Sequence, residues 1–403
     1  MSLSKWLSKF VTGAPWSPLR FPSNGFKVFG NDVWLDEEYL DDFAKGVYYP
    51  IKLGEILVTR YQVVGKLGFG TSSTVWLARD MQARRHVALK VYTRGQHHDK
   101  EFKLYQTIGK TSPGHPGHRH VRTALEAFTI EHNNADHLCL VQKPMWDSFR
   151  DLLERNPTHR FSEDLLKAGL QQVFVALDFL HSECKLVHTD IKGDNILQEI
   201  EDNSILEEFV QTELEYPVPR KLVDGKTIYA SRTFNTPKIF GAAVLSDFGS
   251  AERGDEARHH NAQPDVYRSP EVMLKADWSY PVDIWNVGVM IWDLFEDKHM
   301  FYGEDPDGKG YSTRAHLAEI ISLLGPPPHD LLERGRRVKE FFDEKGQFIA
   351  DVPVPKDSLE QSEENLEGDN KKAFLEFMRC MLQWRPEDRK TAKELLEHPW
   401  LKS

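Results

Sequence analysis

Cysteine is scarce: three residues in 403, Cys139, Cys184 and Cys380, far apart along the chain. That number and spacing exclude a disulfide framework and a zinc-ligand pattern, and read as small apolar side chains kept in a reducing compartment. Long apolar runs are missing too. None approaches the roughly 20 residues that a bilayer-spanning helix needs, so no membrane association is expected. A basic excess is also absent, with 51 Lys and Arg against 62 Asp and Glu and a formal net charge of -11. Direct nucleic-acid binding is therefore not expected, because a chain that follows phosphates needs a basic face. The stretch from Met1 to Gly30 has no acidic residue, while Lys5, Lys9, Arg20 and Lys27 are basic. Mitochondrial transit peptides share that bias, but arginine is scarce here and Pro15, Pro18 and Pro22 interrupt any helix. A leader over residues 1–45, flexible or packed, is the reading preferred over a targeting peptide.

What is present falls into two regimes. From Tyr61 to Val91 the pattern is strand, glycine turn, strand, strand. A strand-like stretch precedes it from Tyr48, a helix is expected around Lys100 to Ile108, and a strand pair follows near Ala124 to Ile130 and His137 to Gln142. After Pro144 apolar residues recur at helical spacing in SFRDLLER, DLLKAGLQQVFVALDFLHSE, YPVDIWNVGVMIWDLFE and KKAFLEFMRCMLQW. The expected organisation is α+β, with a sheet-rich part at 46–143 and a helical part at 144–403. The latter carries an insertion at about 199–241, too long for a compact connection.

Four motifs carry chemistry. Leu67-Gly68-Phe69-Gly70-Thr71-Ser72-Ser73-Thr74-Val75 places glycines between two strands, where backbone N–H groups can approach phosphates closely. Alone it is equally a hairpin turn; a dinucleotide-binding reading fails because a strand, not a helix, follows. Val87-Ala88-Leu89-Lys90 ends the next strand but one. His188-Thr189-Asp190-Ile191-Lys192-Gly193-Asp194-Asn195 is the most specific, and Leu245-Ser246-Asp247-Phe248-Gly249 follows it. Tyr267-Arg268-Ser269-Pro270-Glu271, Asp283-Ile284-Trp285 and Arg385-Pro386-Glu387-Asp388-Arg389 complete the order.

In this order the motifs resemble those of protein kinases. The resemblance implies a bilobal fold, with a small antiparallel-sheet N-lobe and a larger helical C-lobe, using ATP and Mg2+. It implies Asp190 as catalytic base, Lys192 neutralising the transferred phosphoryl group, and Asn195 and Asp247 as metal ligands. Lys90 would reach the nucleotide phosphates, paired with Glu101, while residues 67 to 75 cover the nucleotide. An arginine of the last motif would pair with Glu271.

The stretches Gly46-Val47-Tyr48-Tyr49-Pro50-Ile51-Lys52-Leu53-Gly54 and Lys66 to Leu77 narrow the resemblance to SR-protein kinases, as do Thr189 after His188, Tyr267-Arg268-Ser269 and His398-Pro399-Trp400-Leu401. That family implies a monomeric, non-specific serine/threonine kinase of the cytoplasm or nucleus. Its substrates would be Arg/Ser-rich proteins of mRNA splicing. The rival readings are a pseudokinase scaffold and a small-molecule kinase.

Departures matter as well. Thr189 stands where an arginine usually receives an activation-loop phosphate, and the only hydroxyl residues between Asp247 and Glu271 are Ser250, Tyr267 and Ser269. Activity without loop phosphorylation is expected. Ala315 and Ser322 occupy positions that are acidic in the family's docking groove, with Glu304, Asp305 and Asp307 nearby as substitutes. Pro264 replaces a threonine expected to bridge Asp190 and Lys192, and Asp265 follows it.

Overall fold

The computed structural model describes residues 14–95, 99–223 and 225–403. Lys5 and Lys9 of the basic leader lie outside these residues. The chain divides into two compact units, one holding the residues up to Gln106 with Thr123–Trp146 and Glu199–Gly241, the other Thr107–Arg122, Asp147–Gln198 and Ala242–Ser403.

The first unit is built on a six-stranded sheet of β1 (Ile56–Leu57), β2 (Tyr61–Gly70), β3 (Ser73–Asp80), β4 (Arg85–Tyr92), β5 (Ala124–His132) and β6 (Ala135–Gln142). Its order is β1-β2-β3-β4-β6-β5, and all pairings are antiparallel. The stretch after Tyr48 yields only the two-residue β1, in keeping with Pro50 and the turn that follows it. Side chains alternate across a strand. Val87, Leu89 and Val91 of β4 thus join Val63, Trp76, Ala78, Cys139 and Val141 in one buried cluster, while Lys90 points to the opposite face.

What covers that cluster is not more of the sheet. Val218 and Tyr229, both from the 199–241 insertion, are part of it, and full burial of a valine alone contributes about 1.5–3 kcal/mol. The insertion is ordered as a helix, Ser204–Glu215, and a hairpin of Arg220–Val223 with Lys226–Tyr229. Sequence boundaries place this segment within the span of the helical part; in the structure it groups with the sheet. The cause is steric and electrostatic. Gly65 of β2 is the seat of the inserted helix, since a Cβ there would lie 2.6 Å from the Phe209 ring. Next to it, Lys66 is wholly buried, ion-paired to Asp36 and Glu37 of the leader, and donates to the Tyr229 carbonyl at 3.1 Å. The described part of the leader is thereby tied to the sheet.

The second unit is helical. Ser162 caps the helix Glu163–Phe179 by accepting from Leu165 N. Pro281 opens the helix Pro281–Phe295, which is buried nearly all round, with Trp285 and Trp292 wholly enclosed. Phe374 of the helix Gly368–Met381 stacks on Trp292, and Trp400 lies 5.0 Å from Phe374. Near the end of the chain Arg389 binds Glu271 through two hydrogen bonds of 2.6 and 2.7 Å, both side chains fully buried. Its Nε and a second Nη1 N–H reach the Gln383 and Pro281 carbonyls, so the buried charge is paired and hydrogen-bonded.

Candidate active site

In the first unit, Lys90 lies opposite Val75 on β3 and Leu140 on β6. Its Nζ is 3.2 Å from Oε1 of Glu101 on α1 (Asp99–Lys110), and Glu101 is buried. Residues Leu67 to Val75 form the end of β2, the turn and the start of β3. A Cβ at Gly68 or Gly70 would meet nothing within 4 Å, and neither glycine has a positive φ. Neighbouring protein atoms therefore do not explain these glycines; what they provide is an open backbone face, the surface a phosphate needs. Ser73, where a third glycine is usual, is buried and pairs with Gly70 and with Tyr92.

In the second unit, Asp283 holds the backbone at the start of the His188–Asn195 loop. It is fully buried and accepts from His188 N at 2.7 Å, Thr189 N at 2.8 Å and the His181 ring at 2.9 Å. These bonds hold Thr189 at φ 68°, a costly conformation for a β-branched residue. The Thr189 hydroxyl donates to the Ser250 carbonyl at 2.9 Å, so a neutral hydrogen bond ties the loop to the segment after Gly249.

Asp190 follows. Its Oδ2 accepts from Asn195 Nδ2 at 2.8 Å, and the same amide reaches the Asp190 carbonyl at 2.7 Å. Oδ1 is buried, makes no hydrogen bond and lies 3.2 Å from Lys192 Nζ. Lys192 therefore contacts Asp190 directly, with Pro264 in place of the bridging threonine, and Asp265 instead pairs with Arg268 at 2.8 Å. A cavity of about 470 Å³ opens beside Asp190, lined by Thr189, Glu252, His260, Pro264 and Trp278 among others.

Asp247 is joined to the same loop. Ser246 N donates to the Asn195 carbonyl at 2.8 Å, and the His188 ring meets the Ser246 carbonyl at 3.0 Å. Phe248 is wholly buried, 5.0 Å from the His188 ring. Among the described residues no cluster of three or more His, Cys, Asp or Glu side chains could hold a metal. Asn195 donates through its nitrogen, so its amide oxygen, like the carboxylate of Asp247, is an oxygen donor. Such donors suit a hard cation that keeps water and phosphate oxygens as its other ligands.

Asp283 stands within the Asp283-Ile284-Trp285 motif, but the residue pattern alone gives it no role. Gln263, which accepts from Ser269 N and Oγ at 3.0 and 2.9 Å and donates to the Val282 carbonyl, carried no signal. Of the acidic substitutes near Ala315 and Ser322, Asp305 is bound bidentately by Arg314 at 2.7 and 2.8 Å, which holds its carboxyl well below the usual range. Asp307 contacts Lys309 at 3.1 Å. Glu304, the third, is exposed, while Glu319 on the helix of Ala315 accepts from the Tyr302 and Gly303 amides.

A protein kinase domain model matches residues 61–401. The chain is 42% identical over 98% of both sequences to a serine/threonine protein kinase of Aspergillus fumigatus. It is 29% identical to the serine/threonine-protein kinase SRPK of Physarum polycephalum, over 91% of each. With mouse SRSF protein kinase 3 the identity is 24%, over 93% of this chain and 92% of the relative. A kinase-domain crystal structure that covers 90% of this chain and is itself covered completely shares the fold, at a TM-score of 0.66 and 21% identity. The chain belongs to the protein kinase family. Its activity is that of a serine/threonine protein kinase, a transferase that uses ATP on protein substrates.

Proposed function

We propose that Asp190 is the base that accepts the proton of a serine or threonine hydroxyl as the γ-phosphoryl group of ATP is transferred to it. The observation that carries this is the state of the Asp190 carboxylate: one oxygen is held by Asn195, while the other makes no hydrogen bond and faces Lys192 at 3.2 Å. A carboxylate fixed in this way presents a single oxygen to a proton. Lys192 offsets charge on the moving phosphoryl group, and Lys90, oriented by Glu101, binds the nucleotide phosphates. Mg2+, held through Asn195 and Asp247, would supply charge neutralisation at those phosphates. Residues 67 to 75 cover the nucleotide.

Arg/Ser-rich splicing proteins are the substrate class we propose, which places the work in the cytoplasm or nucleus; the names of the SRPK and SRSF kinase relatives support it. Of the carboxylates near Ala315, Asp305 and Glu319 already have partners within the chain, while Glu304 is exposed. Glu304 and Glu252, which lines the cavity beside Asp190 and contacts Arg258 at 3.3 Å, are the carboxylates we assign to arginine selection. A peptide array with ATP and Mg2+ tests both levels. Phosphate on Ser or Thr with arginine enriched at neighbouring positions is expected. Phosphate without arginine enrichment removes the substrate class, and no transfer to any hydroxyl peptide removes the mechanism.

A further inference from the structure

Residues 14–60 precede the segment matched by the kinase domain model, yet two of their contacts end on the glycine turn. The Tyr48 hydroxyl donates to the Gly70 carbonyl at 3.0 Å and lies 3.4 Å from the Thr71 carbonyl. Tyr48 is buried, and burial first, then Glu37 and Asp42, pushes its hydroxyl up to about 12. It remains a donor at any physiological pH.

The other end of the turn is held from the leader and the insertion together. Lys66, one residue before Leu67, has its ammonium on Asp36, Glu37 and the Tyr229 carbonyl, and its own carbonyl accepts from Arg232 N at 2.9 Å. Asp36 also takes both the N–H and the hydroxyl of Ser231. The β2–β3 ladder is irregular on both sides of Lys66, with register shifts between Val63 and Gly65 and between Lys66 and Gly68. A strand interrupted in that way has fewer ladder bonds of its own to fix the turn, and the outside contacts replace them.

We infer that Tyr48 and the Lys66–Asp36 pair are positioning residues for nucleotide binding, holding the Leu67–Val75 turn in a conformation that receives the ATP phosphates. This rests on the nucleotide role proposed for that turn. It goes further, because it makes the segment outside the matched domain part of the phosphate-binding machinery. Neither residue touches the reacting atoms; both act through the backbone of the turn.

The test is Tyr48→Phe in the full chain, which removes one hydroxyl and keeps the ring. Binding of a non-hydrolysable ATP analogue is titrated by calorimetry, and KM for ATP, KM for peptide and kcat are measured. Loss of one hydrogen bond predicts a weakening of nucleotide binding, in Kd and KM, of about three- to tenfold. The peptide KM and kcat should stay within about twofold, with an unchanged melting temperature. Asp36→Asn, which keeps the Ser231 bonds and drops the charge, should move nucleotide binding in the same direction. Wild-type nucleotide affinity in both variants, or equal losses in nucleotide and peptide binding, would overturn the inference. If wild type binds the analogue but transfers no phosphate, the catalytic proposal fails while the binding comparison still decides this one. If wild type binds no nucleotide, both fall.

Discussion

Each of the two units buries charge, but they do so for different ends. In the helical unit three of the buried charges lie within motifs: Asp283 holds the backbone of His188 and Thr189, and Arg389 clasps Glu271. In the sheet unit Lys66 is wholly buried, and its partners come from the leader and the insertion, 29 residues before it and 163 after it. Glu213, buried in the inserted helix, likewise binds Arg232 at 3.0 Å. The first three hold the His188–Thr189 backbone and the C-terminal motif; Lys66 and Glu213 attach the leader and the insertion to the sheet. Motif matching finds the first kind of charge and overlooks the second.

That contrast can be broken or sharpened by substitution. Asp190→Ala or Lys90→Met should lower kcat by about 100- to 10,000-fold with the melting temperature unchanged, because these groups act on the reaction rather than the core. Arg389→Ala leaves Glu271 buried and alone; it should cost about 3–5 kcal/mol, read from the urea midpoint. On the other side of the comparison, Gly65→Ala pushes a methyl into the Phe209 ring and should cost about 1–3 kcal/mol. Hydrogen exchange in Gly65→Ala should rise first in the Ser204–Glu215 helix; if it rises first in the Pro281–Phe295 helix, the assignment of the insertion to the sheet unit is wrong.

A smaller effect lies in His299, whose pKa is raised above the ordinary value, first by its hydrogen bond to Asp293 at 2.9 Å. A raised histidine contributes stability that is complete below pH of about 6.5 and is lost as pH rises through the raised value. Stability should fall across that window in wild type and stay flatter in His299→Gln, as measured by urea melts at several pH values. The smallest effect is no effect. Phosphatase treatment should leave activity unchanged, since the Thr189 hydroxyl on the Ser250 carbonyl replaces a phosphate-dependent tie. Activity lost on dephosphorylation and regained on rephosphorylation of Ser250, Tyr267 or Ser269 would contradict this.

These results also mark what was legible in the residues. The strands of β2 to β6, the helix bearing Glu101 and the long helices followed from period and turn chemistry, because each buries a face along its own length. The spacing from Asp190 to Asn195 was legible because both residues lie in one short loop and bond each other directly. The seat of the insertion was not, since it depends on Gly65 meeting Phe209, a contact across more than a hundred residues with no local pattern. Asp305 looked available for a basic substrate until its pairing with Arg314 was known. Charge along a sequence does not say whether a carboxylate is already spent.

Single-turnover transfer from labelled ATP with Mg2+ to a serine-containing peptide, wild type beside Asp190→Asn, bears most directly on the central claim. Phosphoserine formed by wild type, and slowed at least about 100-fold in the variant with nucleotide binding intact, is the predicted result. Equal rates from the two proteins, or no phosphoserine from wild type, would contradict it.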